Sequence, residues 1–371
     1  MATFRQKIDL MRGLLSGEIA YTGPFHVMVD VTRRCNLRCL GCRFHSQQVH
    51  RSSLGEESVL DISFDILEKL CKELRAMGTR TLFLLGEGEP FLYSRIFDLI
   101  SMAKRSGFYI TVISNGTLLD KSRVQSIIDS GLDVLMVSLW ASSLQEYEKQ
   151  CPGTDPNNFQ RVINGLKLLR SLKAEKQSKL PSVNLHHPIN RHNFQQIATM
   201  VDLALETGCD TITFAPFLTT LGILSSYSLS QEEERLLSLS LEQIKKRLRS
   251  LSINHNISHL LARYRSVREI EWTPPCYMGW VHSRVTVDGT ILPCKPCNIP
   301  MGNLRKDSFH EIWNKSSYRN FRKQVVTHEG LASLGQQCDC ELCCYVQDNA
   351  RIHQIFRWFL PFCVGRKIKS Q

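Results

Sequence analysis

Three cysteines in one short stretch carry the most specific chemistry. Val31-Thr-Arg-Arg-Cys-Asn-Leu-Arg-Cys-Leu-Gly-Cys42 places Cys35, Cys39 and Cys42 in a C-x3-C-x2-C spacing. Thiolates this close in sequence can reach three corners of one iron–sulfur cube, for which cysteine is the usual ligand. No fourth cysteine follows nearby. One iron is then left without a protein thiolate, as at a catalytic metal with an open position. A structural zinc knuckle is the plainer use of the same spacing.

A second set lies near the other end. Eight of the fourteen cysteines fall between Cys276 and Cys363. The N-terminal residues carry Asp9 and Glu18 and hold no apolar run before a cleavage site, so no secretory leader is expected. Cysteines in such a chain imply reduced thiols and metal rather than a disulfide framework, and a cytoplasmic setting. Cys71 falls on the apolar stripe of a helix expected over 63–77, and Cys209 lies in a Gly-Cys-Asp turn. Both read as buried thiols and not as ligands.

The elements that must position the first cysteines alternate between strand and helix. A compact apolar strand over 26–31 runs straight into the cysteine loop. Further strands are expected over 81–85, 109–113, 134–139, 182–187 and 211–215, with helices over 95–106, 121–130, 158–174 and 193–207 between them. Six such units imply a parallel α/β architecture, a partial (β/α)6 TIM-like barrel, and a small Cys-rich domain follows it at the C-terminal end. Ligands in such folds bind at the carboxyl ends of the strands. The turns there are Gly86-Glu-Gly-Glu-Pro90, Ser114-Asn-Gly116, Ser138-Leu-Trp-Ala141 and His186-His-Pro-Ile-Asn-Arg191. Adjacent strand residues face opposite sides, so only one of His186 and His187 can face the barrel interior. A histidine there could give or take a proton; a satisfied core histidine is the commoner case.

The cysteine motif followed by Gly-x-Gly-Glu-Pro one βα unit later resembles the radical S-adenosylmethionine (radical SAM) superfamily. The resemblance implies that the open iron chelates the methionine part of SAM. Reductive cleavage then gives methionine and a 5′-deoxyadenosyl radical that abstracts hydrogen from substrate. It assigns SAM binding to Gly86, Gly88, Glu89, Ser114, Asn115 and Ser138, with Glu89 facing the amino group; Glu87 is expected to face solvent, and Arg191 to pair with the SAM carboxylate or an anionic substrate. In relatives the residue before the third cysteine is often aromatic and lies near the adenine. Here it is Gly41, so Phe44 or another side chain must take that place.

The second cysteine set resembles the SPASM and twitch extensions of the same superfamily. A hairpin is expected over 284–287 and 290–293 around Asp288-Gly289. Cys294 ends it in Gly-x4-Cys form, and Cys340-Glu-Leu-Cys343 supplies a later pair. The resemblance assigns one auxiliary [4Fe–4S] cluster to Cys276, Cys294, Cys340 and Cys343. The run C-x2-C-x5-C-x3-C of a full SPASM domain is absent. Cys297, Cys338, Cys344 and Cys363 are left over and would suffice for a second cluster. The auxiliary cluster would accept an electron or position substrate.

The domains expected are an N-terminal helical extension over 1–24, the radical SAM barrel over 25–250, the auxiliary-cluster domain over 251–349 and a basic amphipathic tail over 350–371. The net charge of +11 fits a solvated basic surface or an anionic partner. No nucleic-acid-binding motif is present, so no nucleic acid is expected. No run reaches the length of a membrane span. The tail could touch a membrane surface, but packing over the barrel is favoured because Pro361 limits its helix. Expected partners are SAM, a small-molecule or peptide substrate, and an electron donor such as flavodoxin or ferredoxin. Two other classes would use the same cysteines: a non-catalytic iron–sulfur carrier, and a zinc-binding module for nucleic acid or protein. Neither explains the long βα array.

Overall fold

The computed structural model describes residues 3–46, 59–217, 224–269, 275–338 and 345–356. After α1 (Phe4–Ser16), strands and helices alternate: β1 (His26–Asp30), α2 (Phe64–Ala76), β2 (Thr81–Leu85), α3 (Ile96–Arg105), β3 (Tyr109–Ser114), α4 (Lys121–Asp129), β4 (Val134–Ser138), α5 (Leu144–Gln150), α6 (Asn158–Glu175), β5 (Ser182–Ile189), α7 (Ile197–Thr207), β6 (Thr211–Pro216) and α8 (Gln231–Leu248). Then follow β7 (Asn254–His255), α9 (Ile257–Glu269), α10 (Met278–Val281), β8 (His282–Val285), β9 (Thr290–Leu292), β10 (Gly302–Asn303), α11 (Phe309–Trp313), α12 (Ser316–Val325), α13 (His328–Ser333) and α14 (Val346–Phe356).

Among the described residues the ten strands form one sheet, in the order β10-β9-β8-β1-β2-β3-β4-β5-β6-β7. The run β1 to β7 is parallel and in chain order. Side chains alternate along these strands as the two-residue period requires. Val27, Val29, Leu82, Leu84, Ile110, Val112, Leu135, Val137, Ile212 and Phe214 are fully buried in the core. Their neighbours Met28, Phe83, Met136, His186 and Thr213 are half-buried and line the other face.

Two features differ from expectation. A seventh strand, β7, extends the six; at two polar residues it carries no apolar signal to read. The hairpin β8–β9 is not a separate unit, because β8 pairs in parallel with β1, with His26 opposite His282 and Met28 opposite Arg284. The cysteine-rich region therefore continues the barrel sheet. Helix α9 packs on α8 and β6, so residues near 257–269 lie on the barrel side.

The N-terminal segment is clamped to the C-terminal region. The Trp280 indole donates to the Ile19 carbonyl at 3.0 Å, and Trp313 donates to Thr22 at 2.9 Å. Buried Arg322 donates to the carbonyls of Gly279, Trp313 and Glu18, which satisfies a charge that burial would otherwise make costly. Helix α14 starts before residue 350: Gln347 donates to the His259 carbonyl, and the buried Asn349 accepts from Tyr277 N–H; residues 357–371 of the expected tail, Pro361 among them, lie outside the described residues. Among the described residues no helix is long and apolar enough to cross a membrane.

Candidate iron–sulfur and cofactor site

The cysteine loop leaves the end of β1 and is held by the loop that leaves β2. Gly88 N–H donates to the Thr32 carbonyl at 2.9 Å, and Glu89 N–H donates to Arg34 at 2.7 Å. A Cβ on Gly88 would collide with the Arg34 carbonyl, so this close approach of two backbones requires glycine. Gly88 thus seats the cysteine loop.

Glu89 is buried and ties three elements together. Its Oε1 accepts from Phe91 N–H at 3.1 Å and from the Ser114 hydroxyl at 2.8 Å; its Oε2 accepts from Asn115 N–H at 2.7 Å. A carboxylate has about four acceptor directions, so one remains for an ammonium group. Burial pushes its pKa up, against the pull of these donors. Asn115 also donates to Asn36 at 2.9 Å, inside the cysteine loop. Glu87 does not turn to solvent as expected: it is buried and paired with Arg33 at 2.6 Å.

The sulfurs sit in a shell of donors. Cys35 Sγ accepts from Leu37 N–H, and Cys42 Sγ accepts from the N–H groups of Phe44 and His45. Burial pushes the Cys35 thiol up to about 12 and Cys42 up to about 11, so protons alone would keep them neutral. Backbone N–H groups aimed at sulfur favour thiolate, and a bound metal would supply the charge that burial opposes. The Tyr147 hydroxyl lies near Cys35 and Cys39, is buried, and makes no well-formed hydrogen bond. The C-x3-C-x2-C loop, with N–H groups aimed at the sulfurs of Cys35 and Cys42 and a buried hydroxyl beside it, fits an iron–sulfur cluster.

Gly41 explains its own departure from the aromatic pattern. A Cβ there would meet the Trp140 ring and lie 2.6 Å from Phe217. Trp140 and Phe217 stand edge to face at 6.0 Å, with Leu224 and Tyr227 packed beside them. These rings fill the space that an aromatic at position 41 would take. Phe44 instead lies under the guanidinium groups of Arg43 and Arg284, at 5.3 and 5.5 Å.

A radical SAM superfamily model matches residues 29–204, and the SPASM iron–sulfur cluster-binding domain model matches residues 276–345. The chain belongs to the radical SAM superfamily. Radical SAM enzymes carry a [4Fe–4S] cluster that binds SAM, and their SPASM domains carry auxiliary iron–sulfur clusters. Solved structures share the fold. Streptococcus suis SuiB bound to its precursor peptide SuiA superposes with a TM-score of 0.66 at 18% identity, over 88% of this chain and 73% of SuiB. Native anSMEcpe with bound AdoMet gives 0.65 at 16% identity, over 92% of this chain and 98% of the other. The same enzyme with AdoMet and the Kp18Cys peptide gives 0.64 at 17%, over the same shares of both chains.

The radical SAM site residues are not all brought together. Gly88, Glu89, Ser114 and Asn115 meet the cysteine loop, directly or through Glu89, whereas Gly86 packs within its own turn against Gly88. The Ser114 hydroxyl is spent on Glu89 and on Gly116 N–H. Ser138 stands half-buried at the end of β4, and its hydroxyl has no hydrogen-bond partner among the described residues. Arg191 is turned to Glu233 of α8 and the Ser226 carbonyl, in a half-exposed ion pair. Of the two histidines, His186 lies on the half-buried face and meets the Thr213 hydroxyl at 2.8 Å. His187 is buried and stacked on Phe214, a core side chain.

In the SPASM region the Cys294 thiol hydrogen-bonds both Cys297 and Cys338, and Cys276 lies within electrostatic range. Cys297 and Cys338 face each other across an antiparallel bridge. The hydrogen bond between Cys294 and Cys297 pulls the Cys297 thiol down and pushes the Cys294 thiol up, and Cys338 pulls on both in the downward direction. Cys340, Cys343, Cys344 and Cys363 lie outside the described residues. Sequence reasoning left Cys297 and Cys338 spare; the C-x2-C spacing of Cys294 and Cys297 is a signal for Cys297 alone.

The two cysteine regions are joined. Arg43, next to Cys42, donates to the Lys295 carbonyl at 2.9 Å and to Asn298 at 3.0 Å. Arg284 of β8 donates to Asp30 of β1 at 2.7 Å and to the same Lys295 carbonyl at 3.2 Å. Both members of the Arg284–Asp30 pair are buried. No sequence signal links Asp30 to Arg284, which lie 254 positions apart.

Proposed function

We propose that this enzyme reductively cleaves SAM at a [4Fe–4S] cluster held by Cys35, Cys39 and Cys42, and abstracts hydrogen from a peptide substrate. The observation that carries the reading is the half-buried three-cysteine loop clasped to Glu89, Ser114 and Asn115. When bound, the cluster supplies the electron that breaks SAM into methionine and a 5′-deoxyadenosyl radical. The protein's residues do the rest. The remaining acceptor direction of Glu89 receives the SAM ammonium group in a charge-assisted hydrogen bond. The Ser138 hydroxyl contacts the ribose or the carboxylate. Trp140 takes the adenine side that Gly41 leaves open. The Trp140–Phe217 cluster excludes water from above the loop.

The peptide reading is supported by the fold shared with SuiB, solved with its precursor peptide, and with anSMEcpe, solved with peptides. The half-buried face with His186, Thr213 and Met136 is where such a substrate would lie.

Eight cysteines from Cys276 onward hold two auxiliary clusters in this proposal, replacing the single cluster on Cys276, Cys294, Cys340 and Cys343. The contact of Cys294 with Cys297 and Cys338 supports this, because it draws two spare thiols into the ligand set. The test is an iron count on anaerobically reconstituted protein, with electron paramagnetic resonance spectra with and without SAM. Two auxiliary clusters give ~12 irons per chain, and ~8 after Cys35, Cys39 and Cys42 are all replaced by alanine, at four per cube. Counts of ~8 and ~4 restore the single-cluster assignment. Zinc and no iron in the triple variant would make the SPASM region a structural metal site.

A further inference from the structure

Helix α5 lies against the cysteine loop and presents two groups to it that the proposed chemistry does not use. Leu40 N–H donates to the Gln150 carbonyl at 2.9 Å, which fixes the end of α5 beside Cys39. The next residue, Cys151, is buried, and its Sγ lies 3.3 Å from Cys39 Sγ. One turn earlier is Tyr147, 3% exposed, its ring 5.7 Å from Phe159. Its hydroxyl makes no well-formed hydrogen bond, and the groups that act on it are the thiols of Cys151, Cys39 and Cys35. A buried hydroxyl left without a partner is costly, so one placed among sulfurs is positioned to donate to sulfur.

We propose that Tyr147 and Cys151 donate hydrogen bonds to the cysteine sulfurs of the catalytic cluster and raise its reduction potential. Cys151 S–H donates to the Cys39 sulfur, and Tyr147 O–H donates to the sulfur of Cys39 or Cys35. The inference rests on the proposed assignment of the cluster to Cys35, Cys39 and Cys42. Its physical basis is charge. Reduction adds an electron, which concentrates on iron and its sulfur ligands, and a donor aimed at sulfur stabilises the reduced form more than the oxidised form. Hydrogen bonds to sulfur are among the factors that set such potentials, and groups behind the ligands tune a metal site. Both residues are positioning residues: they act through Cys39 and Cys35.

The experiment compares parent, Tyr147→Phe, Cys151→Ala and Cys151→Ser as full chains after anaerobic reconstitution. Iron is counted. The catalytic cluster is followed by electron paramagnetic resonance as the potential is stepped, and is recognised as the signal that changes on adding SAM. Tyr147→Phe keeps the ring and its packing and removes only the donor. We expect Tyr147→Phe and Cys151→Ala to keep the parent's iron and to shift the midpoint to more negative potential. Held where the parent is half reduced, each falls about threefold to tenfold in its reduced-to-oxidised ratio, with tenfold equal to about 59 mV for one electron. Cys151→Ser, which keeps a donor, returns most of the shift. Midpoints equal to the parent's overturn the inference. So does loss of iron in Tyr147→Phe, since a tuning donor is not needed to hold the cluster. A parent without a SAM-responsive signal overturns instead the cluster assignment beneath it.

Discussion

Gly41→Ala puts a methyl group into space already filled by the rings of Trp140 and Phe217. Three ring atoms would lie closer than contact distance, so a ring or the cysteine loop must move. Neither is free to do so. The Trp140 carbonyl accepts from Asn193 at 2.9 Å, Phe217 N–H donates to the Ile189 carbonyl at 3.1 Å, and the loop is held at Leu40 by Gln150. Overpacking of this kind costs about 1–3 kcal/mol. At about 2.1 cal/mol/K per residue over the 371 residues, that lowers the melting temperature by about 1–4 °C. The assay is a double-mutant cycle with Trp140→Ala, read by thermal unfolding and by SAM affinity of the reconstituted protein. Trp140→Ala makes room for the methyl, so the Gly41→Ala penalty should vanish in that background, a coupling of about 1–3 kcal/mol. Penalties that add to within about 0.5 kcal/mol would show that the Trp140 ring does not own the space above Gly41, and the argument for its place beside the adenine would fall with it.

Glu89→Gln sets an amide N–H against the donor Asn115 N–H and removes the charge proposed to face SAM; it should weaken SAM binding about tenfold or more with iron content unchanged, as isothermal titration would measure. Arg284→Met strands the buried Asp30 carboxylate and should cost about 3–5 kcal/mol in chemical denaturation, most of it recovered by adding Asp30→Asn. His187 is held neutral by burial, its pKa lowered to about 3. The unfolded chain binds that proton first as pH falls, so His187 removes stability progressively from about pH 6.5 down to about 3. His187→Phe should flatten the stability–pH curve in that window and leave it unchanged above pH 7; equal slopes for parent and variant would contradict the burial argument.

Much of the barrel was legible because parallel strands buried on both sides are short runs of Val, Ile and Leu followed at once by polar turns. Thr81–Leu85, Tyr109–Ser114 and Val134–Ser138 lie within a residue of where the pattern put them. The cysteine loop and the Glu89 turn were legible because their residue types are scarce and their spacing strict. What pattern could not give was the partner of each group. Glu87 looked free beside a loop, yet Arg33 holds it. Arg191 looked aimed at an anion, yet Glu233 holds it. The parallel pairing of β8 with β1 joins residues more than 250 positions apart, and no periodicity reports such a contact. Helix α5 went unread because Leu144–Gln150 is too short and too polar to show a stripe, although it carries Tyr147 and ends at Cys151. Gly41 was the one visible sign of the ring above it.

The claim at the centre of this account is that Cys35, Cys39 and Cys42 form the site where SAM is cleaved. The most direct measurement is 5′-deoxyadenosine formed from SAM under dithionite by the reconstituted parent and by Cys35→Ala, Cys39→Ala and Cys42→Ala. The account predicts product from the parent and none from any of the three, with the iron of the SPASM region retained in each, because a three-thiolate site has no ligand to spare. Product from any one of the variants at a rate near the parent's would contradict it.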